Sequence, residues 1–183
     1  MKTVLCSLRL LAVFTVLTGL LYPLAVWAVG RAVFRDAAEG SLLEREGRLV
    51  GSALLAQKTT DPRYFQPRPS AGDYATVASG ASNLAWSSAK LAAAIAERRA
   101  DHGGGDVPAG LLTASGSGLD PHLSPAAVAV QASRVAAARK LTPDQRHALD
   151  ELIAGQVEGG QFGPARINVL LLNLALDKAY PEP

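Results

Sequence analysis

The chain has 183 residues, 49% of them hydrophobic, and its 18 basic residues against 16 acidic ones give a formal charge of +2. Two of those basic residues, Lys2 and Arg9, lie ahead of everything else, and the rest of the chain is formally neutral, which gives no footprint for nucleic acid. One cysteine, Cys6, excludes a disulfide framework and paired-cysteine metal or redox sites.

After a short tail over residues 1–9, Leu10 to Gly30 runs for 21 residues without a charge. As a helix rising about 1.5 Å per residue it would reach roughly 31 Å, enough to cross a hydrocarbon core of about 30 Å. Val26-Trp27-Ala28 offers a passable signal-cleavage site, but the run exceeds the roughly 7 to 15 apolar residues of an export signal. A retained anchor is therefore predicted, with Tyr22, Pro23 and Trp27 suited to the bilayer and its interface. Thr15, Thr18 and Gly19 add a small, hydroxyl-bearing surface on which a partner helix could pack, beside Tyr22 and Pro23. The basic tail is expected inside and the long following segment outside, because long segments translocate largely regardless of their charge.

Residues 31–47 read as a linker or an extension of the helix, and residues 48–183 as one α/β (α+β) domain. Arg48 to Gln57 suggests a strand, bounded by Gly47 and a Thr-Thr-Asp-Pro turn. Tyr64 to Ser82 shows no periodicity, yet its aromatics and low net charge argue for an ordered loop. Ser87 or Ser88 can cap a helix closed by Arg98 and Arg99, which Gly103-Gly104-Gly105 breaks. Val107 to Thr113 is expected to be a short strand. Ser124 before Pro125 opens a second helix running to about Lys140, and Thr142-Pro143-Asp144-Gln145 is a capping box for a third, running to about Val157. Ile167 to Asp177 reads as a strand entering a helix.

Between these elements lies the string Ser115-Gly116-Ser117-Gly118-Leu119-Asp120-Pro121. A serine nucleophile there would need a Gly-x-Ser-x-Gly elbow, and Ser115 stands where the first glycine belongs. A turn in which glycine takes positive φ and Asp120 forms an Asx turn is the better reading. Ser115, Gly116, Ser117, Gly118 and Gln131 remain candidates for holding a nucleotide, because glycines ahead of a helix can cradle an anion. No complete phosphate-binding motif is present, and the three scattered histidines do not form a metal site. Gln131 with Arg134, and Asn168 with Asn173, are placed to satisfy buried backbone.

Several strings together carry a resemblance that runs from end to end. They are Thr18-Gly19-Leu20 with Tyr22-Pro23-Leu24, Gly40-Ser41-Leu42, Gly51-Ser52, Tyr64-Phe65 with Arg68-Pro69-Ser70-Ala71, and Ser82-Asn83-Leu84. Thr113 through Ser124, Gln131 with Arg134-Val135-Ala136, and Asn168-Val169-Leu170 with Leu172-Asn173-Leu174 complete the set. The chain resembles the KdpC family, the C subunits of Kdp-type potassium-transporting P-type ATPases. It departs from the family pattern at Ala56, Lys58-Thr59, Ala81, Trp86-Ser87-Ser88 and Leu171.

The resemblance implies a non-catalytic, single-span subunit of a bacterial inner-membrane pump that takes up potassium at high affinity. Its partners would be a channel-like A subunit, an ATP-hydrolysing B subunit, a small F subunit and the lipid bilayer. It implies no tightly bound cofactor. ATP would be met only through the B subunit, whose affinity for it the C subunit raises as a catalytic chaperone. The competing expectation is a free-standing anchored exterior module or a serine hydrolase, active without partners.

Overall fold

The computed structural model describes residues 1–181, so the last two residues of the domain predicted over 48–183 lie outside the described residues. The chain forms two compact units, Met1–Ser52 and Ala53–Pro183.

The first unit is dominated by one apolar helical rod, Lys2–Val33, none of whose residues is buried. Its 32 residues make it about 48 Å long at the ordinary helical rise, so the tail expected over residues 1–9 is itself helical from Lys2. The rod comprises α1 (Lys2–Val16), a π-helical turn (Leu17–Leu21) and α2 (Tyr22–Val33). Pro23 explains the wide turn: it has no N–H for the Gly19 carbonyl four residues back, and its ring presses on that carbonyl. The turn widens instead, and Tyr22 N–H donates to the Leu17 carbonyl, five residues back. Thr18 Oγ1 donates to the Phe14 carbonyl at 2.7 Å. Thr15 and Tyr22 are exposed, and the position a Cβ would take on Gly19 meets nothing within 4 Å.

At the far end of the rod the Arg31 guanidinium stands 5.6 Å from the Trp27 ring centroid. Arg31 also pairs with Glu39 at 2.6 Å, and Arg35 joins the same carboxylate at 3.2 Å. Glu39 closes the short helix α3 (Arg35–Ala38). The segment expected as a linker then holds an unanticipated strand, β1 (Leu42–Arg45), which pairs antiparallel with β2 (Arg48–Ser52). Glu46 and Gly47, both at positive φ (+52° and +74°), make the two-residue turn between them. Strand β2 ends at Ser52, five residues short of the expected Gln57.

In the second unit no regular element occurs before α4 (Ala89–Asp101), and residues 53–88 form a long structured loop. Val107 to Thr113 is not a strand: Pro108 leads into the helical turn α5 (Ala109–Leu112), which buries Leu111 and Leu112. A run of buried leucines this short carries no periodicity to distinguish the two states. The remaining elements are β3 (His122–Leu123), α6 (Pro125–Ala138), α7 (Pro143–Gly155), β4 (Val157–Glu158), β5 (Arg166–Asn168) and α8 (Val169–Ala179). β5 pairs antiparallel with both β3 and β4, giving the order β3-β5-β4.

Three helix starts follow their local chemistry, whereas Ser88 stands at the N-cap position of α4 without a side-chain hydrogen bond to it. Ser124 Oγ accepts from Ala127 N–H, Thr142 and Gln145 complete the capping box, and Asn168 Oδ1 accepts from the N–H groups of Leu170 and Leu171. Val128 and Val135 of α6, Leu149 of α7, Leu172 and Leu176 of α8 and Ile167 of β5 meet in one core. Phe65, from the loop, is fully buried in it.

Candidate functional site

The long loop has no strand or helix to satisfy its backbone, so side chains from α6 and α8 do so. Asn173 Oδ1 accepts from Phe65 N–H at 2.9 Å while its Nδ2 donates to Phe65 O at 2.9 Å. Gln131 treats the next residue the same way: Oε1 accepts from Gln66 N–H at 2.9 Å and Nε2 donates to Gln66 O at 3.0 Å. Each amide therefore binds both hydrogen-bonding groups of one loop residue, as a neighbouring strand would. Arg134 adds bonds to the carbonyls of Pro62 (2.7 Å) and Tyr64 (3.2 Å) and to Gln131 Oε1 (2.8 Å). Burial pushes its guanidinium pKa down. Asn168 Nδ2 holds Ala53 O at 2.7 Å.

A second clamp lies nearby in sequence. Arg139 donates to Arg63 O (2.9 Å), Tyr180 O (3.1 Å) and Asp177 Oδ1 (2.6 Å), and its guanidinium lies 4.8 Å from the Tyr64 ring centroid. Tyr64 Oη donates to the other Asp177 oxygen at 3.0 Å. Beside it the Arg63 side chain and backbone N–H both donate to the Asp61 carboxylate and lower its pKa to about 2. In the sequence Arg139 is only the residue before Lys140, at the end of the second predicted helix. Its partners Arg63 and Asp177 lie too far off in sequence for spacing to reveal them.

The serine and glycine string forms a tight turn against the same loop. Ser115 N–H donates to Pro69 O at 3.0 Å, and Ser115 Oγ is buried with no hydrogen-bond partner. Ser117 is exposed and its Oγ accepts from Leu119 N–H at 3.1 Å; neither serine is bonded to a histidine among the described residues. Gly116 is exposed as well. Gly118 sits at φ +71°, and a Cβ there would come within 2.9 Å of Gly80 O and 3.1 Å of Ser70 Oγ, so any side chain is excluded twice over. Asp120 Oδ1 accepts from His122 N–H at 3.0 Å in the expected Asx turn, and Oδ2 pairs with Arg68 at 3.3 Å. Of the five nucleotide candidates, Ser115 and Gly118 lie against the segment around Pro69 to Gly80, whereas Gln131 has its amide committed to Gln66.

A family model described as "K+-transporting ATPase, c chain" (KdpC) matches residues 4–178. The chain belongs to the KdpC family. A potassium-transporting ATPase KdpC subunit of Pseudomonas syringae pv. tomato is 48% identical over 181 residues, covering 97% of this chain and 94% of the relative. Its counterpart in Xanthomonas oryzae pv. oryzae is 52% identical over 180 residues, 93% of this chain and 85% of the relative. That of Cereibacter sphaeroides is 46% identical over 179 residues, 94% and 95%. Some of the strings that carry the resemblance to KdpC build the loop clamps. Tyr64-Phe65 and Arg68-Pro69-Ser70 are the clamped segment, and Gln131, Arg134, Asn168 and Asn173 are the clamps.

Proposed function

We propose that this chain is the non-catalytic accessory subunit of a bacterial ATP-driven, high-affinity potassium uptake pump. In this reading it lies in the inner membrane with the basic N-terminal end in the cytoplasm and the α+β domain outside. It stabilises the assembly of a channel-like A subunit, an ATP-hydrolysing B subunit and a small F subunit. Family membership across almost the whole chain is the observation that carries the reading. The apolar rod supports it, since none of its side chains is buried in its own chain and its uncharged stretch, residues 10–30, needs lipid or other subunits as cover.

ATP stays with the hydrolysing subunit, and a chaperone effect on its affinity passes through coupling between distant sites. The clamped loop and the turn around Ser115 to Gly118 are best suited to present a rigid docking surface.

Two measurements test this. Gly19→Leu, which fills the open position on the rod, should lower the yield of intact pump after mild detergent extraction; an undiminished yield would remove the rod's proposed packing role. Ser79→Cys in a Cys6→Ser background should react with a membrane-impermeant thiol reagent in intact cells. Labelling only after lysis would place the domain inside and reopen direct contact with ATP.

A further inference from the structure

A groove of about 460 Å³ opens between the clamped loop, α4 and α6; its charged lining is Lys58, Arg98 and Arg134 against Asp101, with His102, Gln66 and Tyr74 beside them. Lys58 is matched by Asp73 at 2.7 Å on the exposed rim. Among the described residues neither Arg98 nor Arg134 has a carboxylate within 4 Å. Arg98 spends one bond on Leu112 O at 2.7 Å, and Arg134 spends three on Pro62 O, Tyr64 O and Gln131 Oε1, all neutral acceptors. A guanidinium has five donors, so both have donors to spare and, among the described residues, no carboxylate in ion-pair contact. Burial and the nearby Arg134 hold the His102 pKa below its ordinary value, with Asp101 opposing them.

We propose that this groove seats an acidic side chain presented by a loop of a partner subunit of the pump, with Arg98 and Arg134 as its charge partners. The proposal rests on the accessory-subunit reading above. Charge complementarity selects the occupant: two planar forks in a half-buried groove match a carboxylate, and the cavity leaves room for the side chain that carries it. The walls are set in advance, because Gln66 and the backbone around Tyr64 are already fixed by Gln131 and Arg134. The seat therefore loses little freedom when filled. Lys58 and Asp73 offset one another at the rim, so the attraction for the incoming acid comes from Arg98 and Arg134.

The test is retention of the full-length chain by its co-expressed partner subunits. Arg98→Glu should weaken retention by about tenfold or more, and Lys58→Glu, an exposed change that leaves Asp73 unopposed and turns the rim acidic, should weaken it in a salt-dependent way. Arg99→Glu, on the exposed side of the same helix, should match wild type. If wild type and all three variants are retained equally, the groove is not the seat. If wild type itself is not retained, the accessory-subunit reading fails first. Inorganic phosphate provides the other arm. Should it shift the His102 imidazole resonances of the full-length chain while Arg98→Glu stays in the pump, the groove takes a free anion and the proposal is overturned.

Discussion

Arg139→Met is expected to destabilise the domain by about 3–5 kcal/mol, the range for breaking a buried ion pair from one side. The pair's side chains are only 5% and 8% exposed. Methionine matches much of the volume, so the loss isolates the guanidinium from its packing. Asp177 keeps the Tyr64 hydroxyl but loses its 2.6 Å charge partner, and the carbonyls of Arg63 and Tyr180 lose their donors. The urea midpoint of the full-length chain should fall with an unchanged slope. Replacing both charges, Arg139→Met with Asp177→Leu, should recover a large part of the loss, since an apolar pair avoids leaving a charge behind. A single variant within about 1 kcal/mol of wild type would mean that the pair is solvated and worth no more than a surface bridge.

Gln131→Met should cost about 2–4 kcal/mol, from two peptide groups of Gln66 left without partners at roughly 1–3 kcal/mol each, partly relieved where water reaches the loop. The more telling readout is local. Amide exchange at Gln66 should accelerate strongly, because Gln131 Oε1 is its acceptor, while Phe65, held by Asn173, should be affected much less. Equal acceleration at both residues would show that the loop opens as one unit and that the two amides do not act separately.

These two cases mark what was legible in the sequence. Ser124 and Thr142 announce their helices because a cap acts within three residues, and the strand entering α8 shows in β-branched Ile167 and Val169 after Gly163-Pro164. The hairpin was missed because Glu46-Gly47 is a weaker turn signal than Asn-Gly, and α5 because four residues show no period. Gln131 and Asn173 were read correctly as satisfiers of backbone. Their targets, 65 and 108 residues away, could not be read, because a buried amide specifies a peptide group and not an address. The cationic groove was hidden for the same reason. Lys58, Arg98, His102 and Arg134 are scattered along the chain, and Arg98 looked like a favourable charge at a helix end.

The π-helical turn at Leu17–Leu21 bears on assembly in a different way. It acts as a phase slip: one residue more than an α-helix needs, equivalent to about 100° of azimuth, is absorbed midway along the rod. Ridges and grooves that a neighbour follows over α1 do not continue in line over α2. A straight neighbouring helix would mesh with one half only, so the two halves of the rod present their ridges in two directions, as a corner piece does.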